Sequence, residues 1–289
     1  MPNLNRRKLK NKISLIPKVR RTVTLHSPQQ TPLAPARLSL RRRGIYLLPN
    51  AFTTAALFCG FYAIVMAMNK QFEYAAIAIF AAMILDGIDG RVARLTNTQS
   101  EFGAQYDSLS DMVSFGVAPA LVIYELSLRG MGKLGWLAAF VYCAGAALRL
   151  ARFNTNIAVV DKRFFQGLPS PAAAAMVAGL VWLSQDLRIA GPELNWLAWA
   201  ITLYAGLTMV SNVPFYSFKD VNFRKSVPFI AIFLIVLAFV AVSSDPPKWF
   251  FGFFVCYGLS GYVVFFWRML KGKPVSIIQT EPEPGDDKE

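Results

Sequence analysis

Asp86, Asp89, Asp107 and Asp111 are the residues of this chain whose type and spacing can do chemistry. They close one apolar stretch and open the next, in the run Asp86-Gly-Ile-Asp89-Gly-Arg-Val-Ala93-Arg94, eight residues, then Gly103-Ala-Gln-Tyr-Asp107-Ser-Leu-Ser-Asp111. Ionisable groups embedded in apolar segments are costly and mark function by default. On a helix, residues three or four apart share a face, so Asp86 pairs with Asp89 and Asp107 with Asp111, with Gly103 one turn earlier on the same stripe. Two facing helix ends thus offer four carboxylates to a common point. Uncompensated, those charges are not tolerated at low dielectric. One or two divalent cations neutralise them, and an oxygen-only donor set favours Mg2+, Mn2+ or Ca2+ over zinc. Two such ions suit in-line displacement at phosphorus, and an acid outside the full metal shell can act as general base. Gly87, Gly90 and Ala93 leave room for a flat or bulky ligand beside the backbone, Gly103 lets the next helix approach, and Arg94 offers a bidentate fork to a phosphate.

Two other uses of four acids stand beside this one. An ion-paired helix interface would set Arg91 and Arg94 against them, but two positive charges cannot neutralise four negative ones, and the glycines would weaken a purely structural helix. A divalent-cation carrier would place acids near the bilayer midplane on broken helices. These acids sit at the ends of their apolar stretches, and the other halves of those stretches carry none of comparable density.

The elements that must position the acids are membrane helices. The 289 residues are 55% hydrophobic and only 16% charged, with a mean hydropathy of +0.40. Eight apolar stretches recur, at 46–68, 73–92, 104–127, 134–153, 169–185, 195–215, 226–243 and 249–269. Their lengths suit a bilayer core, which needs about 20 residues of helix. The composition predicts an all-α polytopic helical bundle with about eight spans. Residues 1–44 carry twelve of the Lys and Arg and no acid. They read as a basic arm that is disordered or lies on anionic headgroups, with nucleic acid a disfavoured partner. Residues 45–272 form the spanning catalytic domain, and 273–289 an acidic, disordered tail. No cleavable signal peptide is evident.

With the N-terminus in the cytoplasm, 25 Lys and Arg fall on the inner side and 5 on the outer. That asymmetry predicts both termini inside a bacterial-type cytoplasmic (inner) membrane. Every unusual polar motif then falls on the cytoplasmic face. Among them is the opening of the first span, where Pro49 suits a helix start. Asn50, Thr53 and Thr54 follow it, as local caps or as ligand contacts. The alanines at 172–175 favour close helix packing in lipid. Cys59, Cys143 and Cys256 lie within apolar stretches and imply neither metal site nor disulfide. His26, the single histidine, lies in the basic arm, so histidine chemistry is excluded.

The carboxylate block resembles the signature of the CDP-alcohol phosphatidyltransferases at Asp86, Asp89, Gly90, Ala93, Arg94, Gly103, Asp107 and Asp111, without departure. The resemblance extends over roughly residues 45–240. It implies transfer of a phosphatidyl-type group from a CDP-linked lipid to an alcohol, with release of CMP and with two divalent ions on the diphosphate. It implies Asp86, Asp89 and Asp107 as metal ligands, and Asp111 as both ligand and catalytic base. It also implies Gly87, Gly90, Ala93 and Gly103 around the cytidine and ribose, Arg94 at the nucleotide phosphates, Asn50 as the Asn of a Pro-Asn pair that opens the first core helix, and a homodimer.

Three stretches resemble the phosphatidylserine synthase branch of that family: Asp107 to Ala120, Arg149 to Thr155 and Phe165 to Ala172. That likeness implies CDP-diacylglycerol and L-serine as the substrates. A fixed cation suits the carboxylate of serine. Arg149 and Arg152 stand at the right depth for this, with Asn154 nearby, although arginines there also serve as helix-end anchors. Lys162 and Arg163 read more as anchors. Other acceptors stay open: glycerol 3-phosphate or an inositol phosphate, which would want more cations, and choline, which would want an aromatic cage drawn from Phe153, Phe165, Phe215 and Tyr216.

Overall fold

The computed structural model describes residues 40–96, 98, 100–155, 164–217 and 229–271. Residues 1–39 of the expected basic arm, Lys162, Arg163 and the expected acidic tail lie outside the described residues.

Each apolar stretch folds as one helical segment. They are α1 (Leu40–Met68), α2 (Phe72–Leu95), α3 (Glu101–Asp111) continued by α4 (Ala118–Leu126), α5 (Lys133–Thr155), α6 (Ser170–Asp186), α7 (Gly191–Val210), α8 (Phe229–Ser244) and α9 (Pro246–Leu270). Among the described residues, four segments are long and apolar enough to cross a membrane: Leu48–Met68, Glu101–Leu126, Lys133–Thr155 and Pro246–Leu270. Of the others, α2 ends in its acids and arginines, and α6 and α8 are short, at 17 and 16 residues. The fold is mostly helical. Among the described residues the departure from an all-α chain is one short antiparallel ladder, β1 (Phe164–Gln166) against β2 (Pro214–Tyr216), with Phe165 opposite Phe215. It joins the entry to α6 to the exit from α7.

The centre of the bundle is α6, packed by α2, α4, α7 and α9. Its alanines at 172–175 are all buried, as their small size suggests. Phe80 of α2, Trp182 of α6 and Phe250 of α9 form one aromatic cluster, with ring centroids 4.9–6.3 Å apart. Helices α5 and α7 cross at glycines: a Cβ on Gly145 would lie 2.4 Å from the carbonyl oxygen of Gly206.

Two local features depart from the expected straight helices, and both bear on the acids. Pro49 does not open the first helix, because α1 begins at Leu40 and carries Pro49 in its interior. The Leu-Arg-Arg-Arg run upstream favours helix, which extends it. Between α3 and α4 the chain widens into a π turn over Met112–Val117, immediately after Asp111. Such turns often mark functional positions. This one is held by its neighbours: Tyr142 of α5, fully buried, donates to the carbonyl of Phe115 at 2.9 Å, and Ser114 donates to the carbonyl of Ala56 in α1 at 3.1 Å. One turn earlier, Ser110 donates to the carbonyl of Thr53 at 3.1 Å. The second and third serines of the Ser-Leu-Ser-Asp-Met-Val-Ser run therefore seam α3 and the π turn to α1.

Candidate active site

The four carboxylates converge. Ligand oxygens of Asp86, Asp89 and Asp107 all lie within 4.8 Å of one another. Asp86 stands beside both Asp107 and Asp111, which brings the fourth acid into the group. Asp89 is buried, and the other three are half-buried. The helical spacing accounts for this: α2 delivers its pair from its last turns and α3 delivers its pair across from them. The N-terminus of α3 is fixed by Ser100, whose Oγ accepts from the backbone N–H of Gly103 at 3.0 Å. This is a normal helix cap.

Nothing basic among the described residues neutralises the cluster by a salt bridge. Arg94 instead turns back along its own helix, where its Nε donates to the carbonyl of Gly90 at 2.9 Å. This removes the ion-paired interface as an account of the four acids. Thr53 of α1 donates to Asp89 Oδ2 at 2.7 Å, while Asp107 Oδ1 is buried without a hydrogen-bond partner. A buried carboxylate oxygen left unpaired is unfavourable. Oxygen donors crowded this closely, one of them orphaned, fit a hard divalent cation.

On one side of the acids lies a cavity of about 340 Å³, lined by residues of α1, α2 and α3. Its wall includes Asn50, Asp89, Gly90, Ala93, Arg94, Gly103 and Asp107, which unites most of the residues expected around a nucleotide. Gly87 lies outside that lining, on an exposed part of α2, and a side chain there or at Gly90 would meet open space. Gly103 behaves differently, since a Cβ would come within 3.1 Å of Ser100 Oγ and 3.5 Å of Asn50 Oδ1. Its absence lets α3 close on α1.

Arg149 of α5, which is not part of that lining, lies within electrostatic reach of Asp111. Its Nη1 donates to Ser170 Oγ at 2.8 Å, and its Nε is buried without a partner. The three residues expected to bind serine do not form one group. Arg152 bonds the carbonyl of Ser211 at 3.5 Å and Asn212 Oδ1 at 3.3 Å, next to the ladder. Asn154, on another face of α5, donates to Ser108 Oγ of α3 at 3.1 Å. Arginines three apart share a face, but their guanidinium groups bond different partners. The aromatic residues weighed as a choline cage are also dispersed, with Phe215 fully buried and Phe153 half exposed, at 52%.

Thr53 is back-bonded to Pro49, at 3.2 Å, which is the local bonding expected of it, and also donates to Asp89, a contact the sequence did not indicate. Other residues of the site carried no clear sequence signal. Thr98 and Ala104 line the cavity, and Ser170 holds Arg149. Gly167 shapes the approach to Ser170. It has φ +77°, and a Cβ there would lie 2.4 Å from the carbonyl of Met209. Only glycine suits that position.

Known proteins match much of this chain. The family model described as CDP-alcohol phosphatidyltransferase matches residues 46–208, more than half of the chain. A protein of Helicobacter pylori strain J99, named CDP-diacylglycerol–serine O-phosphatidyltransferase, is 35% identical over 233 residues, 79% of this chain and 96% of its own length. A protein of the same name from Mycobacterium tuberculosis strain H37Rv is 36% identical over 211 residues, 70% of this chain and 72% of its own. One from Saccharomyces cerevisiae, again of that name, is 33% identical over 192 residues, 62% of each chain. The matched region contains all four carboxylates, the cavity and Arg149, and this chain belongs to the CDP-alcohol phosphatidyltransferase family.

Proposed function

We propose that this chain transfers the phosphatidyl group of CDP-diacylglycerol to the hydroxyl of L-serine, releasing CMP and leaving phosphatidylserine in the membrane. The observation that carries this reading is the convergence of Asp86, Asp89, Asp107 and Asp111 beside a cavity of nucleotide-binding character. The names of the relatives supply the acceptor.

The four carboxylates would hold two divalent ions, Mg2+ or Mn2+ by donor chemistry, with Ca2+ a further candidate. When bound, such ions draw charge from the diphosphate and stabilise the oxygen on which CMP departs. The rest falls to the protein. Asn50, Gly90, Ala93 and Gly103 shape the seat of the cytidine and ribose, with Gly87 alongside, and Arg94 lies at its phosphate end. The acyl tails remain in the lipid. Arg149 receives the carboxylate of serine through its free Nε–H, which brings the hydroxyl to Asp111. Asp111 takes the hydroxyl proton, the serine oxygen bonds to the β-phosphorus, and the bond from that phosphorus to the bridging oxygen breaks with its electron pair leaving on CMP. The cluster has no separate side chain suited to act as a nucleophile, so one displacement suffices.

The setting follows the charge distribution. Eight crossings of a bacterial-type inner membrane, with both termini and the site on the cytoplasmic face, agree with the excess of inner Lys and Arg. The domain would span 45–272, between a basic arm and an acidic tail, and function as a homodimer.

The deciding measurement is CMP release by purified protein given CDP-diacylglycerol and a panel of serine, glycerol 3-phosphate, an inositol phosphate and choline. Serine alone supports turnover, chelation stops it, and added Mg2+ or Mn2+ restores it. Equal turnover with a phosphorylated acceptor overturns the assignment. Asp111→Asn lowers turnover by about 10²–10⁴-fold, the range of general-base catalysis, while CDP-lipid affinity measured by titration stays within a few-fold. Retained activity removes Asp111 as the base. Thr53→Ala costs roughly 10–100-fold in activity and raises the divalent-ion requirement, as loss of a partner to a ligating carboxylate does; Thr53→Ser restores both. Arg149→Ala raises the KM for serine by about tenfold or more, the scale of a charge-assisted hydrogen bond, and spares the KM for CDP-lipid. Arg152→Ala has a smaller effect, because that side chain is engaged with Ser211 and Asn212. Equal responses at the two arginines point to anchoring instead.

A further inference from the structure

Beyond the family-matched region, which ends at residue 208, α9 returns to the site. It packs along α6 and against β2. Its contact with β2 is an interlock. The ring of Phe215 sits so close to α9 that a Cβ on Gly261 would come within 2.4 Å of it. One turn earlier, Tyr257 packs its ring on Phe215 with centroids 5.7 Å apart, and its hydroxyl donates to the carbonyl of Tyr216 at 3.2 Å. That clamp places the half-buried phenol of Tyr257 within electrostatic reach of Arg149. The guanidinium is thus approached from three elements: Asp111 of α3, Ser170 at the first turn of α6, and Tyr257 of α9.

We infer that Tyr257 is an acceptor-positioning residue: clamped to β2, it buttresses the guanidinium of Arg149, so that α9 closes the acceptor end of the site against a small carboxylate-bearing alcohol. The inference rests on the serine reading above and extends it to a helix that the family signature does not include. Arg149 is a long side chain with several rotatable bonds, and holding it in one pose has an entropic cost of its own. Ser170 fixes one Nη, and Nε remains for the acceptor. A neighbour clamped to β2 and within electrostatic reach of the guanidinium would restrict its poses and keep that N–H aimed at the ligand. The cavity of α1, α2 and α3 is untouched by this arrangement, because neither Tyr257 nor Ser170 lines it.

The test compares two hydroxyl deletions on the same helix interface. Tyr257→Phe removes the tie to Tyr216. Tyr204→Phe removes a tie of the same kind, since Tyr204 of α7 donates to the carbonyl of Gly258 at 2.9 Å, one residue along α9. Initial rates of CMP release are measured while serine and CDP-diacylglycerol are varied separately. For Tyr257→Phe the KM for serine rises about fivefold to tenfold, the scale of one neutral hydrogen bond, with kcat and the KM for CDP-diacylglycerol within about twofold. Tyr204→Phe leaves all three within about twofold. Ser170→Ala, which frees the same guanidinium from α6, shifts the KM for serine in the same direction as Tyr257→Phe. An unchanged KM for serine in Tyr257→Phe overturns the inference, and so does an equal rise in Tyr204→Phe, which would mean that docking of α9 alone matters. If the wild-type protein releases CMP only with another alcohol, the serine reading fails by itself, and the same comparison is run with that alcohol.

Discussion

Three carboxylates with ligand oxygens within 4.8 Å of one another and a fourth, Asp111, beside Asp86, with no basic side chain among the described residues salt-bridged to them, set the terms for this fold. Two like charges 4–5 Å apart repel by about 3–4 kcal/mol even at an effective dielectric of about 20. Several such pairs equal the entire stability of a typical domain, about 5–15 kcal/mol. Among the described residues no salt bridge relieves this. The cluster is braced: Ser110 and Ser114 fasten α3 and the π turn to carbonyls of α1, and Thr53 of α1 holds Asp89. A bound cation would offset the repulsion, and the same bracing would keep the donors in place when it binds.

The bracing also explains where regular helix gives way. A π turn admits one extra residue, which rotates the downstream helix by about 100° relative to an ideal helix of 3.6 residues per turn. Upstream of it, α3 points Asp107 and Asp111 at α2. Downstream, α4 turns Ala118, Val122 and Ile123 into the buried core. One continuous segment thus serves a polar site at one end and close apolar packing at the other. Tyr142 caps the cost of the irregularity by bonding Phe115.

Much of this was legible in the sequence. The acids recur at three and four, and hydrophobic length divides the chain into the eight helical segments observed. Asn50, Gly90, Ala93, Arg94 and Gly103 line one cavity, as small residues beside acids suggest. Other features had no local signal. A π turn carries no composition of its own, so Met112–Val117 reads as ordinary helix. Arg149 and Arg152 look equivalent as an i, i+3 pair, and only tertiary partners separate them. Pro49 reads as a helix start because proline is cheap there, but the residues before it are good helix formers and the helix extends past it. The ladder of β1 and β2 and the approach of Tyr257 depend on contacts between residues far apart in the chain, which no periodicity encodes.

The cavity is walled largely by α1, α2 and α3, and Arg149, which bonds Ser170 of α6, is not part of its lining. In the proposed single in-line displacement, the attacking oxygen enters phosphorus opposite the departing one, which makes the phosphoryl centre turn inside out like an umbrella. A donor made chiral at that phosphorus with oxygen isotopes would emerge in the lipid with its handedness inverted, a stereochemical record of one displacement rather than two.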